Sequence, residues 1–262
     1  MTDHGPDMAD YATMMRRGTR QRRLRRFWRM LPGNPRCKLC HGPLAGPLMP
    51  MFRLMGKTPW RNNPHYCRWC FRSIVKNRGG AEIETTLLFA DVRGSTEIAE
   101  RLSPEAFRRL MGRFFEVASD VLVSHEAIVD KFVGDEVVAI FIPALTGNHA
   151  AQAVEAGLGL LRATGQPADP WLPIGVGVNT GIAYVGAMGS GENVEMTAMG
   201  DAVNVAARLS GSAGSGELLI SAATARAAGV ERPAAERRRL ALRGKSAPTD
   251  VLVLRADHTN GF

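Results

Sequence analysis

Five polar residues stand where an ordinary globular sequence has no need of them. Asp91 ends the apolar run TTLLFADV, and Asp135 sits at the bend of IVDKFVGDEVVAIF. Asn204 and Arg208 share the stretch TAMGDAVNVAARL, and Lys245 follows a glycine in LRGKSAPTDVLVL. A carboxylate at the end of a buried strand is costly unless it is paired, hydrogen-bonded or bound to a metal. For Asp91 alone, a helix cap explains the residue as well as a metal does. After Asp91 the backbone N–H groups of Arg93, Gly94, Ser95 and Thr96 stand at a helix start, where oriented donors can cradle phosphate. If strands 86–92 and 127–133 are neighbours in one sheet, Asp91 and Asp135 meet. Two carboxylates beside a phosphate cradle then suit two Mg²⁺ ions and phosphoryl chemistry. Asn204 and Arg208, four residues apart, share a helix face. An amide and a guanidinium side by side suit a ribose oxygen and a phosphoryl oxygen, and Lys245 in its turn can reach a terminal phosphate. Lys131, inside the first apolar run of the hairpin, read alone is a solvated lysine on an edge strand.

A second constellation lies nearer the N-terminus. Cys37 and Cys40 in NPRCKLCHGPLAG, and Cys67 and Cys70 in NNPHYCRWCF, form two C-x-x-C pairs separated by 26 residues. Such pairs complete a tetrahedral four-thiolate site, for which structural zinc is the first expectation and an iron–sulfur cluster or a thiol switch the alternatives. Gly42 suits the tight turn of a zinc knuckle, and His41 and His65 are spare ligands. A segment this small cannot build its own core, so a bound metal is expected to fold it.

These groups need elements to hold them. TTLLFADV reads as a buried strand, and Ser103-Pro104 as an N-cap followed by proline at the first helical position. Phe107, Leu110, Met111, Phe114, Val117, Ala118 and Val121 form the apolar face of that helix. The Gly134-Asp135 bend reads as a β-hairpin with a tight turn. An Ala-rich helix spans about 149–163, residues 172–189 read as two strands, and DAVNVAARLSG as a helix. The order βα-ββ-αβ with additional strands indicates an α/β sandwich with a mostly antiparallel sheet. There is no internal repeat.

The charge is unevenly placed. The 262 residues carry a net +8, yet residues 1–80 hold 17 Lys and Arg against 3 Asp, so the remainder is acidic. The two parts are therefore expected to have different partners. Residues 1–15 are polar and expected to be disordered. Arg16 to Arg29 reads as a basic helix with Leu24, Phe27, Trp28 and Leu31 at near-helical spacing. A solvated helix, a surface for anionic lipid and a nucleic-acid patch are the choices, and the apolar residues favour lipid or a protein partner. Residues 71–84 read as a short helix ending at Gly79-Gly80 and then a linker. No apolar run approaches the roughly 20 residues that span a bilayer, and no signal-peptide core precedes the first charges. All four cysteines fall in the basic part, as in a reducing cytoplasm with the thiols kept for one purpose.

With these residues in view, the chain from about Glu84 to Arg255 resembles the class III nucleotidyl cyclase catalytic domain, through FADVRGST, DKFVGDE, GDAVNVAAR and LRGK in that order. The resemblance implies a ferredoxin-like α+β sandwich over residues 84–256, preceded by a basic segment at 1–35 and the four-cysteine module at 36–80. It implies that Asp91, Asp135 and the Val92 carbonyl hold two Mg²⁺ or Mn²⁺ ions. It also implies that Gly94, Ser95, Thr96 and Lys245 bind the phosphates, that Asn204 orients the ribose, and that Arg208 stabilises the transferring phosphoryl group. Active sites shared between two chains imply a homodimer. Base choice falls to Lys131 and Thr197. An ammonium at the first has no acceptor for guanine's donors, so ATP is the expected substrate, although the Thr197 hydroxyl can donate as well as accept. The hairpin is also similar to that of diguanylate cyclases, but Val133 and Val137 replace two of their signature residues. The implied activity is an adenylate cyclase making cyclic AMP. A guanylate or mixed-specificity cyclase, or a non-catalytic dimerising binding protein, are the alternatives. The stretch GSGENVEM before Thr197 departs from relatives that have an aromatic or basic residue there.

Overall fold

The computed structural model describes residues 19–60, 66–70, 72, 80–166, 169–190, 193–230, 236–245 and 247–256. Expectations for residues 1–15, for most of 71–79 and for His65 lie outside them. The chain forms two compact units. One takes residues up to Ile83 together with 142–147 and 184–199, and the other takes 84–141, 148–183 and residues from Gly200 onward.

The larger unit is built on a sheet of order β2-β3-β1-β4-β6-β8-β7. Its strands are β1 (Gly80–Val92), β2 (Ile128–Val133), β3 (Glu136–Phe141), β4 (Ile174–Ser190), β6 (Glu217–Ser221), β7 (Glu236–Leu240) and β8 (Thr249–Arg255). Pairs β1–β3, β2–β3, β6–β8 and β7–β8 are antiparallel, and β4–β6 is parallel. Residues 80–84, expected as linker, are the start of β1.

Alternation along the strands divides the apolar residues between two faces. Leu218, Ile220, Leu252 and Leu254 pack with Met111, Phe114, Ala118 and Leu122 of helix α4 (Pro104–Ser124) and with Leu158 and Leu161 of α5 (His149–Ala163). Leu219, Val251 and Val253 point the other way, onto Val205 and Leu209 of α6 (Asp201–Ser212). Helices thus cover both sheet faces, an α/β sandwich. Ser103 caps α4 by accepting from the Ala106 N–H at 3.2 Å, with Pro104 at N1. Asn148 does the same for α5 through Ala151 at 3.0 Å.

Residues 172–189, expected as two strands, form one. Their glycines allow close approach rather than breaking the strand: a Cβ on Gly177 would collide with the α6 backbone at Ser210 and Ala206.

In the smaller unit, the C-terminal half of β4 forms an antiparallel ribbon with β5 (Asn193–Met199), running from Tyr184 opposite Met199 to Ser190 opposite Asn193. Helix α1 (Thr19–Met30) and the short α2 (Met49–Leu54) belong to this unit. Trp28 and Phe52 join them edge to face, with ring centroids 5.1 Å apart. The face that α1 buries differs from expectation. Arg25 and Trp28 point inward, whereas Leu24 and Phe27 are exposed.

Candidate active site and candidate metal centre

Asp91 lies directly opposite Glu136 in the β1–β3 ladder. The strand next to β1 is therefore β3 and not β2, which corrects the expected neighbour. Asp135 reaches Asp91 because the two-residue loop Gly134-Asp135, with Gly134 at φ 62, sets it just before β3. Burial pushes the Asp91 carboxyl up; Arg93 opposes this, and the Asp135 charge and hydrogen bond reinforce it. Glu136, which sequence reasoning passed over, is pushed up to about 7 by burial and then by Asp91 and Asp135. Like charges held this close retain protons unless a cation relieves them, so the donor set fits a hard divalent ion. Val92 is the buried last residue of β1, and its carbonyl belongs to the same strand end.

Arg93 pairs with the Asp91 carboxylate and also donates to the carbonyls of Gly211 and Ala213, at 3.4 and 3.3 Å, at the C-terminal end of α6. Its backbone N–H donates to Pro173 O at 2.8 Å. That donor therefore leaves the expected phosphate cradle. Gly94, left-handed at φ 69, opens helix α3 (Ser95–Arg101), so Ser95 and Thr96 occupy its first turn.

From the N-terminal end of α6 toward its C-terminal half, Asp201, Asn204 and Arg208 follow one another at helical spacing. Lys245 forms an ion pair with Asp201. The Arg208 guanidinium lies against Gly244, where a Cβ would be 3.3 Å from it. Asp201 is a second residue that sequence reasoning missed, although its i, i+3, i+7 relation to Asn204 and Arg208 was there to be read. Arg93 grips the C-terminal end of this 12-residue helix and Lys245 its first residue. The carboxylate cluster and the Lys245 ammonium thus meet opposite ends of this helix, which is about 18 Å long, with Arg208 between them.

Lys131 is exposed on β2, which stands first in the sheet order, and pairs opposite Val138. A bulge shifts the register between Val129 and Lys131, and the ammonium lies 3.5 Å from buried Asp130. Thr197, half-buried, sits on β5 opposite Gly186 in the smaller unit.

The four cysteines converge. The Sγ atoms of Cys37, Cys40, Cys67 and Cys70 all lie within 4.8 Å of one another, and all four residues are buried. The Cys67 N–H donates to Cys37 Sγ at 3.3 Å and the Cys70 N–H to Cys67 Sγ at 3.4 Å. Buried Lys57 approaches Cys40 Sγ at 3.6 Å. Hydrogen bonds from the other cysteines, Cys37 first, hold the Cys40 thiol down, and Lys57 adds to this. Converging sulfurs with N–H and ammonium support are what a four-thiolate metal site requires. The left-handed residue of the knuckle is His41 (φ 57) rather than Gly42. Gly42 instead gives room, since a Cβ there would sit 3.4 Å from Cys40 Sγ. His41 is not a spare ligand on its Nε2 side, because Arg25 donates to that nitrogen. Burial, and then Arg25, push its pKa down to about 2.

Comparison with known proteins decides the family. The profile described as "Adenylate and Guanylate cyclase catalytic domain" matches residues 81–254. The chain belongs to that family. Adenylate cyclase 1 of Rhizobium meliloti is 34% identical over 139 residues, covering 49% of this chain and 20% of that protein. The adenylate cyclase of Anabaena cylindrica is 28% identical over 156 residues, covering 54% of this chain and 31% of that protein. The chain thus spans less than a third of either relative. Among solved structures, the adenylyl cyclase CyaB from P. aeruginosa superposes with a TM-score of 0.61 at 29% identity, covering 70% of this chain and 99% of that one. The guanylyl cyclase Cya2 superposes with a TM-score of 0.60 at 30% identity, covering 67% and 93%. The cyclase-family region takes in both the carboxylate cluster and the α6–Lys245 cluster.

Proposed function

We propose that the chain is an adenylate cyclase that converts ATP to 3′,5′-cyclic AMP and pyrophosphate, at two equivalent sites of a homodimer. One observation carries this reading: the carboxylates meet the C-terminal end of α6 through Arg93, whereas Lys245 meets its first residue, Asp201, with Arg208 on the helix between them. Neither half is a phosphoryl-transfer site alone, and a second copy placed head to tail supplies to each half what it lacks.

In this reading Asp91, Asp135 and the Val92 carbonyl hold two Mg²⁺ or Mn²⁺ ions, which when bound lower the pKa of the ribose 3′-hydroxyl and clamp the triphosphate. Glu136 adds negative charge beside them. Gly94, Ser95 and Thr96 present backbone donors to the phosphates. Across the interface Asn204 orients the ribose. The 3′-oxygen attacks the α-phosphorus in line while the bond to pyrophosphate breaks, and Arg208 neutralises charge developing on the phosphoryl oxygens. Lys245 exchanges Asp201 for the terminal phosphate. Lys131 donates to the adenine ring and Thr197 accepts from its amino group.

The preceding residues fit a basic segment at 1–35 and a zinc-folded module at 36–80, ahead of a catalytic domain at 84–256. Four buried thiols devoted to one metal suit a cytoplasmic chain. A surface partner for the basic part is more in keeping with its apolar residues than nucleic acid is. Purified protein incubated with ATP or GTP and Mn²⁺ tests the reading. Cyclic AMP in excess is expected. Cyclic GTP-derived product in excess would transfer the assignment to a guanylate cyclase, and no cyclic product from a folded dimer would end the enzyme reading.

A further inference from the structure

We infer that the outer face of the N-terminal module docks on an anionic lipid surface. Helix α1, TRQRRLRRFWRM, contains six arginines and no acidic residue. They divide by direction. Arg22 turns inward and donates to the carbonyls of Pro143 and Ala144, at 2.6 and 3.3 Å, and Arg25 turns inward to His41. Arg23, Arg26 and Arg29 point outward, as do Arg53 on α2 and Arg68 within the last cysteine pair.

The same module exposes large apolar side chains. Phe27 is 53% exposed, Met30 83%, Leu54 91% and Trp69 58%. The Phe27 ring packs edge-on against Trp28 at 5.2 Å, and Lys57 lies 5.0 Å from the ring centroids of both Trp28 and Trp69. Phe27 and Trp69 are therefore tied into one surface by two buried side chains, Trp28 and Lys57, and the four-cysteine cluster anchors its floor through Lys57. Folding the module around four cysteines leaves these apolar groups outside, where they gain nothing by remaining in water.

Guanidinium groups alternating with Phe, Trp, Leu and Met match the boundary between lipid headgroups and acyl chains. The charges meet anionic headgroups, and the apolar tips enter below them. Nucleic acid offers phosphates to the arginines and bases to the two aromatics, but nothing that would cover Met30 and Leu54. Residues 16–80 hold 17 Lys and Arg and no Asp or Glu, so the charge complementarity has one sign across the module. The inference does not depend on which nucleotide the larger unit uses.

The test uses the full zinc-loaded chain with vesicles of phosphatidylcholine alone or mixed with phosphatidylserine. Five outward arginines predict binding about a thousandfold or more tighter to the mixed vesicles, weakening as salt rises. Met30→Asp and Leu54→Asp, at highly exposed positions that leave the interior untouched, should each weaken that binding about tenfold. Zinc content and near-UV circular dichroism should stay unchanged. Failure to bind either vesicle overturns the inference. So does binding that is indifferent to both substitutions, which would make the attraction one of charge alone. Tighter binding to duplex or single-stranded nucleic acid than to the mixed vesicles would also overturn it.

Discussion

Glu136 makes the carboxylate cluster measurable without substrate. Its carboxyl is raised from 4.5 to about 7 by burial, then by Asp91 and Asp135. Between those values the folded, metal-free protein binds a proton that the unfolded chain has released. Stability must therefore fall as pH rises through that window. A difference of about 2.5 pH units at about 1.36 kcal/mol each gives about 3 kcal/mol. Glu136 is only partly buried, so solvent screening reduces this to about 1–2 kcal/mol. The perturbation is Glu136→Gln, which removes the titration and keeps the shape. Urea unfolding of metal-free wild type should lose about 1–2 kcal/mol between about pH 4.5 and about 7, while the variant loses much less. Saturating Mn²⁺ should restore the wild type at the upper end, because bound cation replaces the proton as the source of relief. A wild-type stability flat across that window, or equal slopes in both proteins, would refute the picture of crowded carboxylates poised for a cation.

Two further outcomes follow from other parts of the molecule. Lys131→Glu replaces the ammonium beside buried Asp130 with a like charge, so unfolding should cost about 1–2 kcal/mol less than in the wild type. The ratio of ATP to GTP turnover should drop by about tenfold or more, as a carboxylate now accepts from guanine's donors; an unchanged ratio would remove Lys131 from base selection. Cys67→Ser, or a strong chelator, should unfold the four-cysteine module, since a structural zinc held there would supply on the order of 10 kcal/mol. Trp28, buried against Phe52, reports this by a red-shifted fluorescence. Iron and visible absorbance in the purified chain would overturn zinc.

Legibility in the sequence depended on whether the decisive physics was local. The ends of helix α5 were legible from its Ala-rich run, although Asn148, which caps it, went unnoticed. Helix α4 likewise announced itself through Ser103-Pro104, although Leu122 was left off its buried face. The 172–189 stretch could not be read correctly. A glycine that breaks a strand and one that admits a neighbouring helix look alike until α6 is seen lying over Gly177. Asp91 and Asp135 were expected to meet through the wrong strand, because the hairpin turns β3 rather than β2 toward β1. Glu136 escaped notice as the polar flank of a turn, and its significance comes only from facing Asp91 across the ladder. The same holds for Asp201, whose partner Lys245 is 44 residues away. On α1, near-helical spacing grouped Leu24 and Phe27 with Trp28. Burial of Arg25 instead reversed which side faces inward, which no periodicity of apolar residues can reveal.

The central claim is that each active site takes its carboxylates from one chain and its cations from another. Asp91→Ala and Arg208→Ala proteins, each assayed alone with ATP and Mn²⁺, should be essentially inactive. Mixed in equal amounts and allowed to exchange subunits, they should regain about a quarter of wild-type activity, because half of the dimers are mixed and each carries one intact site of two. Mixed dimers that form and stay inactive would contradict it.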